Sequence, residues 1–356
     1  MTTPTTISYT DLTSETVDLS RQLEAAFGKD SAGVIAIDGI PKFVEHKAKF
    51  LPKSHIISHL PALTLKSLES EKTLFNAGWS HGKEKLGDKP DLAKGSYYFN
   101  PLTDAPGSAE DRAKYPLSYP ENIWPAPSDV PEFEEQAKAL GSLMREVVVL
   151  LAKHIDRFAA SFYPDYEADY LFNQMATTEK AKGRLLYYFP LSAAEIAEGV
   201  SEDSWIGWHN DSGFLTALAG DMYVDEATGE QVPCPDPEAG LYVTTRDGTS
   251  TKVNIPSECM AVQIGECVQI ITGGKIVATP HCVKGAKVAG VGRISFPLFI
   301  DTAPNVELKM PLDCTRDDVF AAAIPNDKVP ALDSRWKNGQ SFGEFLDATF
   351  NVYYKK

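Results

Sequence analysis

Residues 208–218 read WHNDSGFLTAL, a histidine and an aspartate two positions apart followed by an apolar, β-prone run. Along an extended strand, residues two apart point to the same side. His209 and Asp211 are therefore expected to share one strand face, with Trp208 and Asn210 on the other. Taken alone, the pair is either part of a metal site or a polar strand edge. The choice depends on what the rest of the chain brings beside it.

The texture around this stretch is that of a β-core. After Arg184 come short β-branched and aromatic runs separated by turn residues: RLLYYF, WIGWHND, FLTALAG, GLYVTT, KVNIP, MAVQIGECVQIIT, KIVATPH and VGRISFPLFI. Strands of this length and spacing predict an antiparallel sandwich or barrel. Upstream, residues 1–60 read as a short strand (ISYTDL), a helix over ETVDLSRQLEAAFG with Thr13 and Ser14 in its N-cap region, a strand (GVIAIDGI) and a second helix. Residues 78–128 are rich in Gly, Pro and Tyr and read as long lid or binding loops. From Pro131 to about Phe162, apolar residues recur at three- and four-residue steps, which predicts a long amphipathic helix with His154 packed on its apolar stripe. SFGEFLDATFNVYY reads as a closing amphipathic helix. The expected fold class is a mainly β core with flanking helices (α+β), in a single domain over 1–356. A helix- and loop-rich region (1–180) precedes the core (181–305), and a helical extension (306–356) follows it.

Composition narrows the partners. Forty-three per cent hydrophobic and 23% charged residues suit a globular chain able to bury a sizeable core. The formal net charge of −15, from 34 basic and 49 acidic residues, argues against nucleic acid or an anionic membrane as partner. A small molecule is the expected partner, and the chain is expected to be a monomer. The five cysteines (234, 259, 267, 282 and 314) are odd in number and lack a CxxC pair, as in a reducing compartment. With no membrane-length apolar run and no basic–apolar leader, the expected location is cytoplasmic.

Of the seven histidines (46, 55, 59, 81, 154, 209 and 281), only His209 and His281 lie clearly in the strand-rich half. His281 follows KIVATP, read as a strand ending in a proline. Two histidines and one carboxylate on a β-scaffold describe a facial triad, which leaves three octahedral positions open and suits non-haem Fe(II) oxygenases. Beyond His281, GRISFPLFI sets Arg293 and Ser295 two apart, on one strand face. A guanidinium fork beside a hydroxyl makes a carboxylate receptor. If that face is also the metal's face, a co-substrate can chelate the metal at one end and hold a carboxylate against Arg293 at the other, and 2-oxoglutarate has those two ends.

These stretches together resemble a known family. HNDSGFLTAL, GLYV, MAVQIGECVQIITGGKIVATPHCV and RISFPLFI are similar to the isopenicillin N synthase-like group of 2-oxoglutarate/Fe(II)-dependent dioxygenases. The correspondence runs through H-x-D with Leu215-Thr216, Gly240-Leu241, Gln263-Ile264-Gly265-Glu266, Gly273-Gly274-Lys275 leading to His281, and Arg293-Ile294-Ser295. It is specific over about residues 184–300. The resemblance implies a double-stranded β-helix (jelly roll), Fe(II) held by His209, Asp211 and His281, and the far carboxylate of 2-oxoglutarate on Arg293 and Ser295. Tyr188, in RLLYYFP, corresponds to the tyrosine that also reaches that carboxylate. With O₂ as oxidant, the implied reaction oxidises an unactivated C–H bond of a small metabolite in specialised metabolism, by hydroxylation, desaturation or ring closure.

Two departures stand out. Leu186 occupies a position where plant members often carry asparagine, and the segment 219–239 is long for the group and reads as an extra hairpin turning at ATGE. The alternatives are an isopenicillin N synthase-like oxidase that uses no 2-oxoglutarate, and a jelly-roll binding protein without catalysis. SYYFN (96–100), Trp79, His81, Trp124, Phe214 and Leu218 are candidate substrate-pocket walls, and Lys83 and Lys85 candidate contacts for an acidic substrate. Cys282 is expected to point away from the metal, and Asn210 to have no chemical role.

Overall fold

The computed structural model describes residues 1–83, 85–86, 89–199 and 204–354. Its centre is a nine-stranded mixed sheet. In spatial order the strands are Thr5–Ser8, Val34–Asp38, Met260–Ile264, Leu215–Asp225, Val291–Ile300, Ala181–Tyr188, Lys94–Phe99 and Gly78–His81, with Gln231–Val232 paired to the Leu215–Asp225 strand. A four-stranded sheet, in the order Ser250–Lys252, Gly240–Thr244, His281–Lys284 and Ile206–His209, makes the second layer. Two β-layers with flanking helices are the mainly β jelly-roll architecture expected from the strand texture.

Period-two patterning assigns the faces of the large sheet. Ile294, Phe296, Leu298 and Ile300 join Leu185, Tyr187, Tyr97 and Phe99 in the main apolar cluster. That cluster is closed by the 28-residue helix Phe133–Ala160 through Leu140, Met144, Val147, Val148, Leu151 and Ile155. The alternate residues of the same strands, including Arg293, Ser295, Leu186 and Tyr188, face the second sheet. His154 is buried on the long helix with Nε2 at 3.0 Å from the Leu12 carbonyl, a packed core histidine as its place on the stripe predicts.

Several local expectations fail for physical reasons. The expected strand ISYTDL ends at Ser8, whose side chain caps a short helix Tyr9–Thr13; Ser14 is the C-cap of that helix and not an N-cap, and the helix expected from Glu15 starts at Ser20. ECVQII is a helix, Glu266–Ile271, where a continuous strand was expected, because Gly265 stops the Met260–Ile264 strand at the helix N-cap. Short apolar runs carry no period that separates a buried strand from a buried helix. KIVATP is irregular and the strand begins at His281 itself. The stretch 78–128 is more than loop, since Gly78–His81 and Lys94–Phe99 complete one edge of the large sheet and Ala109–Lys114 is a helix. The hairpin expected within 219–239 is present, with the Gly229 amide donating to the Asp225 carbonyl at 2.8 Å at its turn. No described helix is long and apolar enough to cross a membrane.

Candidate active site

The strand holding His209 ends at that residue, so Asp211 does not share a face with it by strand alternation. A different device brings the aspartate in. The helix starting at Glu266 turns its first amides onto the loop after His209: Glu266 N–H donates to the Asp211 carbonyl at 2.8 Å and Cys267 N–H to Gly213 O at 3.0 Å. Gly265 permits this approach, since a Cβ there would lie 2.1 Å from the Gly213 carbonyl oxygen. Below, the Asp301 carboxylate accepts from Phe214 N–H at 2.9 Å and pairs with Lys180 at 3.0 Å.

His281 pairs directly with His209 across neighbouring strands, with ring centroids 4.3 Å apart. Each imidazole Nε2 stands 3.9 Å from Asp211 Oδ1, and one ligand atom from each of the three residues lies within 4.8 Å of the others. Among the described residues this is the one such cluster of histidine, cysteine and acidic side chains. The Nδ1 atoms face carbonyl oxygens, His209 that of Gly207 at 2.8 Å and His281 that of Thr279 at 3.1 Å. An Nδ1–H donating to a carbonyl fixes the tautomer whose Nε2 lone pair is free for a metal. Thr216 Oγ1 donates to Asp211 Oδ2 at 2.6 Å, which orients the carboxylate with Oδ1 toward the histidines. Burial, and next the neighbouring His281, push the His209 pKa below the ordinary imidazole value. Neutral imidazoles and one oriented carboxylate are a donor set that fits Fe(II).

On the same inner face, Arg293 is 4% exposed and lies over the Tyr188 ring at 4.8 Å. Its Nη2 donates to Asp221, whereas Nε and Nη1 are buried without a partner. Burial opposes the Arg293 charge, and Asp221 more than offsets this, so the group stays cationic. A buried guanidinium with two unpaired N–H groups fits a carboxylate ligand. Ser295 is two positions along and 9% exposed, facing the same way.

The other sequence candidates divide. Phe214 is buried against Phe342 in the main core and does not wall the pocket, and Trp79, Tyr97 and Phe99 likewise pack outward. Trp124 is half-buried against Phe99, and Leu218 packs with Leu241 and Val243 between the sheets. Cys282 clusters with Trp208 and Tyr242, away from the histidines. Lys83 pairs with Glu69 at 3.1 Å, and the Lys85 side chain lies outside the described residues. Asn210 has a clear structural partner, its Nδ2 donating to Glu266 at 3.1 Å. Glu266 is in turn held by Arg335 through two bonds of 2.7 and 2.6 Å. Asp221 and Arg335 carried no signal of a role in the sequence, because each acts on a partner that only the fold brings near, whereas Thr216 stood in the leucine-threonine pair of the resemblance without an assigned task.

A jelly roll enclosing a His–Asp–His cluster and a buried arginine is the arrangement that the resemblance in the sequence implies. Comparison with solved structures agrees on the fold. The chain is similar to a 2OG-Fe(II) oxygenase family protein from Caulobacter crescentus (19% identity, TM-score 0.71, covering 99% of this chain and 100% of that one). It is also similar to a full-length Neurospora crassa protein in complex with α-ketoglutarate and thymine (18% identity, TM-score 0.67, covering 99% and 97%). By sequence, 124 residues are 28% identical to scopoletin 8-hydroxylase of Arabidopsis thaliana, covering 35% of this chain and 28% of that enzyme. No family model matches the chain.

Proposed function

We propose that the protein is a 2-oxoglutarate- and Fe(II)-dependent dioxygenase that oxidises an unactivated C–H bond of a small metabolite. The observation that carries this reading is the convergence of His209, Asp211 and His281 on one point, beside a buried Arg293 with two unpaired nitrogens. The likeness to scopoletin 8-hydroxylase and to the thymine-bound Neurospora crassa protein supports it. The two unpaired nitrogens fit a carboxylate, and oxygen consumption with and without 2-oxoglutarate separates this reading from an oxidase that does without it.

Fe(II), O₂ and 2-oxoglutarate, when bound, supply an oxidant made by decarboxylation of the co-substrate. The chain's own residues do the rest. His209 and His281 present Nε2 atoms whose tautomer is fixed by the carbonyls of Gly207 and Thr279. Asp211 is held by Thr216 so that one oxygen faces the histidines. Arg293, with Ser295 and the Tyr188 ring beside it, binds and orients the distal carboxylate. The two sheets flank this point, with the Asp211 and His281 side chains buried and that of His209 31% exposed. We further place the activity in the cytoplasm, in a monomer whose catalytic core is 181–305 within a single domain.

The test is calorimetric titration of the metal-free protein with Fe(II) and then 2-oxoglutarate under anaerobic conditions, followed by assay of succinate release with candidate metabolites. Both ligands are expected to bind, and His281→Ala is expected to abolish metal binding and turnover. Full 2-oxoglutarate-dependent activity in His281→Ala would overturn the proposal.

A further inference from the structure

The face that carries the co-substrate receptor continues beyond it. Residues opposite one another across neighbouring strands lie on one face, and the register pairs Arg293 with Tyr188, Ser295 with Leu186, Ser96 with Leu186 and Tyr98 with Arg184. Arg184 and Lys182 therefore stand on the same inner wall as Tyr188. At ~3.3 Å per residue, Arg184 lies about 13 Å along its strand from Tyr188, too far to share the carboxylate held at Arg293. Lys182 lies opposite Phe299 and Phe299 opposite Thr216, whose hydroxyl holds Asp211, so this end of the wall is level with the metal point.

Arg184 is fixed in place. Its Nε donates to Ser96 Oγ at 3.0 Å, and its guanidinium lies over the Tyr98 ring at 5.2 Å. Lys182 flanks the same ring at 5.9 Å and donates to Asn76 Oδ1 at 3.1 Å. Ser96 and Tyr98 are buried at 2% and 6% exposure, while Arg184 and Lys182 are half-buried. A third cation on this wall, Lys94, is paired with the buried Asp91. In a chain of net charge −15, this part of the interior wall concentrates positive charge.

We propose that Arg184, supported by Ser96, Tyr98 and Lys182, is the substrate-recognition residue, and that the substrate is a small organic acid whose carboxylate it binds. The assignment rests on the dioxygenase reading above. Two cationic receptors then flank the metal point: Arg293 for the co-substrate and Arg184 for the substrate. A guanidinium held by a hydroxyl and a ring keeps its planar fork in one orientation, which suits a planar carboxylate.

The test uses the full chain loaded with Mn(II) and 2-oxoglutarate without oxygen. It is titrated calorimetrically with phenylacetate, 3-phenylpropanoate and octanoate, and with the primary amide of each. At least one acid is expected to bind about tenfold or more tightly than its amide, because a built site that forms a charge-assisted hydrogen bond discriminates strongly against a neutral analogue. Arg184→Met is expected to reduce that preference to within about twofold while 2-oxoglutarate binds as before, and Arg184→Lys to restore part of it. Equal binding of acids and amides by the wild type, no binding of any acid, or a preference that survives in Arg184→Met would overturn the inference. The wild-type comparison stands even if a variant fails to fold. Failure of Mn(II) and 2-oxoglutarate to bind at the start would instead count against the dioxygenase reading.

Discussion

Glu266→Gln offers the sharpest test of how the metal loop is held. The Glu266 side chain is 2% exposed and that of its partner Arg335 is 0% exposed, so the pair is out of water. The substitution keeps the shape and one acceptor oxygen but removes the negative charge beneath a buried guanidinium. Removing one partner of a buried pair costs about 3–5 kcal/mol, because the other charge is left uncompensated. With an unfolding entropy of ~2.1 cal/mol/K per residue, a chain of this length should lose about 4–7 °C in Tm. Urea unfolding followed by tryptophan fluorescence, with calorimetry for Tm, measures both quantities. Arg335→Met alone should cost a similar amount, whereas Glu266→Met with Arg335→Met should be far less damaging than the two single changes combined, since an apolar pair needs no compensation. Because Glu266 also accepts from Asn210 and its amide holds the Asp211 carbonyl, Glu266→Gln should also weaken Mn(II) binding, by about tenfold. A loss below about 1 kcal/mol in Glu266→Gln, or a double mutant as unstable as the sum of its parts, would refute the reasoning.

Three further outcomes are expected. Arg293→Met should weaken 2-oxoglutarate binding by about 2–5 kcal/mol in calorimetry while leaving Mn(II) binding intact, since the substitution breaks a buried charge pair; a near-normal affinity would remove Arg293 from the receptor. Thr216→Val should lower metal affinity about tenfold or more by freeing the Asp211 carboxylate to rotate, and unchanged affinity would show the orientation to be set elsewhere. Burial holds His154 below its ordinary value of 6.5. The unfolded chain therefore takes up that proton first as pH falls below 6.5, and stability contributed at neutral pH is lost on acidification. His154→Gln should flatten the fall in unfolding free energy between pH 6.5 and 5, and an unchanged slope would assign the acid sensitivity to other groups.

Much of this site was legible because its chemistry sits at short spacings. Arg293 and Ser295 do share a face by strand alternation, and the three metal-site residues do come together. Yet alternation is not what joins His209 to Asp211, since the strand stops at His209 and Asp211 is drawn in by helix amides from residues 266 and 267. That helix was invisible in ECVQII because a six-residue segment is too short to separate the two periods. The Arg184 wall was hidden for a different reason. RLLYYF identifies a strand, but only the cross-strand register with SYYFN shows that Arg184, Ser96 and Tyr98 face inward together. Phe214 was misjudged as a pocket wall because closeness in sequence to a ligand does not say which side of the sheet a ring takes.

The Val34–Asp38 strand joins the large sheet by pairing with Met260–Ile264, Ile35 lying opposite Val262. During synthesis the earlier strand leaves the ribosome long before its partner exists. At ~5–20 residues per second, the 226 residues between Ile35 and Val262 take about 11–45 s to appear. For that interval the strand, apolar from Val34 to Ile37, has an unpaired edge toward the rest of the sheet, with the parallel Thr5–Ser8 strand its nearest available neighbour. Expression yield in a heterologous host should therefore depend on translation speed and on chaperones that shield nascent strands, more than on the stability of the finished protein.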